Sequence, residues 1–242
     1  MTHLQSSKLL IAGVSLLAST VTVPAFAADA APSTASDEAL GTHQRHLRLD
    51  IGARTQYVSS AGLDPFSERD AIPQLSLGAS YAFWARDRLS IAGVAGFDYS
   101  DWGARARSAE ASLDLRRFTL GAEARYHLLR ILVLTAKLAP TLTRQAAVLQ
   151  TGIGSDLKYT AWKGGFDATA GAAVELFGYH SGASRKPRLW LTAEGGYGWT
   201  ASSSMLLQPD EPSEAPQRTQ ALDLEDLSLS GPLFRISAAL SF

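Results

Sequence analysis

Residues 231–242 read GPLFRISAALSF, and this stretch decides the fold. Phe234, Ile236, Ala238, Leu240 and Phe242 are apolar, while Arg235, Ser237 and Ser241 between them are polar. A two-residue period of this kind puts one set of side chains on each face of a β-strand, one greasy and one wet. Upstream the same alternation returns in seven stretches, near residues 46–57, 74–83, 89–99, 117–126, 132–142, 166–176 and 189–199. With eight alternating stretches, the chain reads as all-β.

Eight such strands suit either a soluble ligand carrier or a membrane barrel, and three features decide between them. Connections after the second, fourth and sixth strands are short, whereas those after the first, third, fifth and seventh are long, near 59–70, 100–112, 144–163 and 202–226. Aromatics on the apolar phase gather at strand ends. Tyr57, Phe97, Tyr99, Phe166, Tyr197 and Trp199 lie toward the long connections, and Tyr81, Phe83, Tyr126 and Phe242 toward the short ones, as two girdles. The polar phase carries Asp50, Asp98, Glu123, Asp167, Glu175 and Glu194 together with Arg48, Arg54, Arg125, Lys137 and Arg235.

A soluble carrier turns its apolar phase inward. Here that phase bears the aromatic bands and must face lipid, which sends the charges into a lumen just wide enough for side chains. Opposite charges should pair there, Glu194 with Arg235 in a network that draws in Arg54. The expected fold is an eight-stranded antiparallel up-and-down transmembrane β-barrel with short periplasmic turns and long extracellular loops. Two irregularities are expected within it. Leu113 and Leu115 fall in the opposite phase to Phe118 and Leu120, which predicts a β-bulge near Arg116. Pro140 cannot donate to a ladder, which predicts a bulge or an irregular strand end.

A strand ending on a terminal Phe resembles the C-terminal insertion signal of bacterial outer-membrane barrels. The whole plan resembles the small OmpA/OmpX-like and Opa-like barrels, without a peptidoglycan-binding domain, since the chain ends with its last strand. That resemblance implies a Gram-negative outer-membrane location, recognition of the C-terminal strand by the barrel-assembly machinery, and contact with outer-membrane lipid and lipopolysaccharide. It says little about role, because one fold hosts many functions.

At the N-terminus Lys8, the apolar run from Leu9 to Ala18, and the small-residue site Ala25-Phe26-Ala27 read as a secretory signal over 1–27. Residues 28–44, rich in Ala, Ser, Thr and Pro, read as a flexible periplasmic leader, and 45–242 as the barrel. With 22 basic and 23 acidic residues, scattered along the chain, nucleic acid is not an expected partner. The absence of cysteine excludes disulfides, a cysteine-based metal site and a lipid anchor on cysteine. No cofactor or metal is expected.

For chemistry the histidines matter most. His43, His46, His127 and His180 all fall in the leader or toward the short turns, away from the long loops. His180 with Ser181 offers a base and a nucleophile, yet lacks an orienting third group. Asp210-Glu211 and Glu225-Asp226 could recruit divalent cations or act as acid and base, yet their setting among Pro and Ser reads as a solvated loop. Trp102 with Arg105 and Arg107, and Trp162 beside Lys163, suit lipopolysaccharide phosphates or a protein partner, or else extend the external girdle. The expected role is non-enzymatic, in envelope structure, assembly or surface interaction. The alternatives are a rim-site hydrolase that modifies lipid A or cleaves peptides, and a narrow pore.

Overall fold

The structure, a computed structural model, describes residues 46–67, 70–106, 109–151, 156–177, 187–209 and 222–242. The ring consists of β1 (Leu47–Tyr57), β2 (Ala71–Arg86), β3 (Leu89–Ala106), β4 (Ala109–Leu129), β5 (Leu132–Thr151), β6 (Leu157–Phe177), β7 (Arg188–Thr200) and β10 (Gly231–Ser241). Each pairs antiparallel with its neighbour in sequence order, and β10 returns to β1 through Arg48↔Ser241 and Thr55↔Phe234, which closes the barrel. Two further strands, β8 (Ser203–Pro209) and β9 (Leu222–Leu227), pair with each other outside the ring and touch it through β6 at Leu157↔Pro209. The hairpin lies in a stretch that the sequence presents as a loop.

Leu49, Ile51, Leu75, Leu120, Leu138, Ile236 and Leu240 all stand exposed on the outer wall, Leu120 at 70%. In water so large an apolar band would aggregate, so hydrocarbon is its natural solvent. Closure satisfies the backbone within the wall, as a membrane requires. Three register shifts, at Ala82/Trp84, His127/Leu129 and Glu175/Phe177, all fall at the ends of the short hairpins. There they place two successive residues, Phe83 and Trp84 for instance, on the exposed surface.

The strands β3 to β6 are far longer than a membrane needs. β4 has 21 residues; at about 3.3 Å per residue and a tilt near 40° it rises about 50 Å, against an apolar band about 25 Å tall. The stretches read as loops at 100–112 and 144–163 are therefore mostly ladder, reaching Ala106↔Ala109 and Leu149↔Leu157. They build a four-stranded wall beyond the rim.

The same extension corrects the expected bulge at Arg116. Register runs unbroken through Phe118↔Leu142, Arg117↔Thr143, Arg116↔Arg144 and Leu115↔Gln145. Leu113 and Leu115 share a face with Arg117, and it is the solvent that changes. Below the rim lipid lies outside and polar side chains point inward; above it water lies outside and, Ser100 and Gln145 apart, the buried side chains level with Leu115 and Leu113 are apolar. Leu113 and Leu115 join Val58, Phe66, Ile72, Leu157, Met205, Leu207, Leu227 and Leu229 in one buried cluster, which caps the long-loop end as a dome. Pro140 also lies in continuous strand. It pairs with Phe166, and on its other side the register is the same at Thr119↔Thr141 as at Ala122↔Leu138, so no bulge forms.

Close approach of strands inside the narrow ring demands glycine at Gly196, where an added Cβ would lie 2.0 Å from the carbonyl oxygen of Ala168. Gly195 points outward and would meet nothing within 4 Å. Gly196→Ala should thus destabilise the barrel by about 1–3 kcal/mol, as overpacking does, whereas Gly195→Ala should stay within about 0.5 kcal/mol of wild type. Urea midpoints of the two purified variants in detergent check this, and equal midpoints would refute the close packing.

Candidate functional site: the lumen and its dome

Alternation alone turns the polar residues of all eight ring strands toward one axis, and burial there forces them to find partners. Near the dome, Arg54 reaches Asp98 at 2.8 Å and Asp167 at 3.0 Å. Arg117, only 1% exposed, reaches the same Asp167 at 3.0 Å and donates to Thr200 Oγ1 at 3.1 Å. Ser76 donates to Asp98, and Gln56 accepts from Arg54 at 2.9 Å while donating to the Leu229 carbonyl at 2.6 Å. This upper group is tied directly to the chain that forms the dome.

A middle group follows. Arg235 binds Asp50 closely and lies 3.8 Å from Glu194, whose nearer partner is Lys137 at 3.0 Å. Arg235 does stand opposite Glu194 in register, yet it also stands opposite Arg54, and the barrel's stagger brings Asp50 closer. Toward the short turns Arg125 pairs with Glu123 at 2.5 Å and Arg188 with Glu175 at 3.3 Å, while Arg125 also donates to Ser80 and Arg48 to Thr192. At that end Val133, Ala173, Trp190 and Ala239 form a small apolar floor, with the Trp190 indole donating to Ser241 Oγ at 3.0 Å.

Between floor and dome the mid-lumen cavity, lined by Asp50, Arg54, Lys137, Glu194 and Arg235 among others, measures about 50 Å³. That is room for a few waters at most. Apolar band outside, paired charges inside: the chain is an eight-stranded membrane barrel of the outer-membrane type. Its structure is similar to that of Ail, the attachment invasion locus protein of Yersinia pestis, at 11% identity over 82% of this chain and 99% of that one, with a TM-score of 0.47. Ail in complex with the heparin analogue sucrose octasulfate is similar at 12% identity over 82% and 100% of the two chains, TM-score 0.47. Neisserial surface protein A is similar at 14% identity over 80% and 94%, TM-score 0.35. No protein-family model matches the barrel's sequence, and no curated protein matches it.

The girdle aromatics Tyr57, Tyr81, Phe83, Phe166, Tyr197, Trp199 and Phe242 stand exposed on the outer wall, and Phe97, Tyr99 and Tyr126 share their face. Phe118 and Trp162 join them, with ring centroids 5.1 Å from Phe97 to Phe118 and 6.1 Å from Phe118 to Trp162. Trp162 is thus a member of the barrel wall. Trp102 does something different, packing against the dome cluster while its indole donates to Ser100 Oγ.

His46 binds the Ala82 carbonyl at 2.8 Å and stacks on Tyr81 at the short-turn end. His127 is buried on the inner face of that same end. His43, His180, Ser181, Asp210, Glu211 and Arg107 lie outside the described residues, as do the signal 1–27 and the leader 28–44. Among the described residues no cluster of His, Cys, Asp and Glu could hold a metal ion. The lumen network includes two arginines that the sequence reading leaves out. Arg117 sits on the polar phase where that phase meets the dome, and Arg188 opens β7 just after Pro187, where alternation has not yet begun.

Proposed function

We propose that this chain is a non-enzymatic surface protein of the Gram-negative outer membrane, in which a sealed barrel holds an external dome at fixed height. The single observation that carries the reading is the filled axis: apolar floor, three groups of paired charges, apolar dome. A conduit needs a wet path, and a column of paired buried charges does not supply one. The dome wall offers binding surface instead. β2 leaves β3 above Leu75↔Tyr99, and β7 leaves β6 above Gly165↔Thr200, so among the described residues the rising wall presents strand edges near 101–106 and 160–163. Strand edges of this sort accept an added strand from a protein partner. In this reading residues 1–27 direct export, the short turns face the periplasm, and the C-terminal strand engages the assembly machinery.

The chain has no cysteine, so a single introduced one reports its own position. Asp101→Cys should react with a membrane-impermeant maleimide on intact cells and Arg86→Cys should not. Planar bilayers should show no steady conductance. Labelling of the reverse pattern overturns the orientation, and steady ohmic conductance overturns the sealed lumen in favour of a pore.

A further inference from the structure

One row of the outer wall combines features that neither the lumen nor the dome uses. Ladder pairs Tyr99↔Arg116, Arg116↔Arg144 and Arg144↔Trp162 set these four side chains side by side across β3, β4, β5 and β6. All four continue the outward phase, and the row lies one step above the tilted ring pair of Phe97 and Phe118. Two guanidinium groups directly opposite each other repel, and a single carboxylate, Asp114, serves both. Asp114 accepts from Arg116 through both oxygens, at 3.0 and 3.3 Å, and pairs more loosely with Arg144 at 3.7 Å, while the side chains of Arg116 and Arg144 remain 48% and 32% exposed. Asp101 stands opposite Asp114 in the next row outward, so carboxylates collect on the far side of the arginines from the membrane. The order from lipid to water is aromatic, cationic, anionic. Elsewhere the outward faces of β1, β2, β7 and β10 end on Tyr57, Pro73, Trp199 and Pro232, with no basic residue.

We infer that Arg116 and Arg144 form a binding site for the phosphorylated headgroup of an outer-leaflet glycolipid, whose acyl chains lie against Phe118 and Trp162. The fork of Arg144 and the remaining N–H groups of Arg116 match the oxygens of one phosphate monoester, and the repulsion left between the two guanidinium groups is relieved when the anion binds. The aromatic row beneath fixes the depth of the headgroup and supplies the apolar half of the contact. A soluble phosphate meets only the first half. The site rests on the membrane setting of the barrel and on the orientation proposed above, and is independent of any protein partner at the dome edges.

The full chain, extracted from membranes in mild detergent, is offered equal amounts of diphosphorylated lipid A and the same lipid stripped of phosphate, and retained lipid is counted by native mass spectrometry. Wild type should prefer the phosphorylated form on the order of tenfold, and Arg116→Gln with Arg144→Gln should reduce that to parity. Arg144→Gln alone, which leaves the Arg116–Asp114 pair intact, should lose about threefold of it. Arg86→Gln, at the opposite end of the barrel, should keep the full preference, and inorganic phosphate should not displace the lipid. Heat-modifiable migration of each variant reports an intact barrel and so separates failure of the site from failure of the fold. An undiminished preference in the double variant, a loss in Arg86→Gln, or displacement by inorganic phosphate would each overturn the assignment.

Discussion

Asp167→Ala should destabilise the barrel by about 3–5 kcal/mol, because it leaves buried positive charge without its counter-charge. Arg54 would retain Asp98 at 2.8 Å, but Asp167 is the carboxylate that Arg117 reaches, and Arg117 is almost wholly buried. Removing it leaves two guanidinium groups that had converged on one anion facing each other across the lumen. Adding Arg117→Leu to Asp167→Ala removes the stranded charge and should restore most of the loss, since replacing both partners of a buried pair with apolar groups is often close to neutral. Urea midpoints for wild type, single and double variants in detergent measure this. If the single variant matches wild type, water reaches Arg117, and the sealed lumen on which the functional reading depends is wrong.

A second large effect is expected in the dome. Leu113→Asp puts a carboxylate among apolar side chains, where an unpaired charge costs several kcal/mol. Leu113 belongs to the dome cluster and to none of the lumen groups, so the barrel should still insert and still show heat-modifiable migration. External protease should then cut the opened dome in intact cells while wild type resists. Leu120→Asp, on the same strand but facing lipid, should do the opposite and depress insertion itself. If Leu113→Asp abolishes insertion too, dome and barrel fold as one unit and the dome is not a separable layer.

The alternation of the terminal strand carries over to every ring strand, because the two-residue period ties each side chain to one face whatever the tertiary details. The apolar outer wall and the inward charges follow from it directly. What escapes such a reading is a change of solvent along a strand. Leu113 and Leu115 look out of phase beside Leu120 only if lipid is assumed to surround the whole of β4, and Ser100 to Ser112 looks like a loop for the same reason. The hairpin of β8 and β9 hides in a proline-rich acidic stretch, where Met205 and Leu207 offer too short an alternation to stand out. Partner choice in the lumen is harder still. Arg235 faces Glu194 in sequence register, but strand tilt and stagger around the ring set Asp50 nearer, and neither quantity is written in any single strand.

The inversion of phase at Leu115–Phe118 also gives the protein a waterline. A barrel with one uniform apolar band can bob by a few ångströms at small cost, since each girdle merely trades one interface position for another. Here a sinking of two residues along β4, about 5 Å of height at the usual tilt, would carry Arg116 and Arg144 into hydrocarbon. An equal rise would lift Phe97 and Phe118 out of it. Both displacements are opposed by residues of a single stretch, so the depth at which this chain floats is encoded more sharply than its aromatic belts alone would set it.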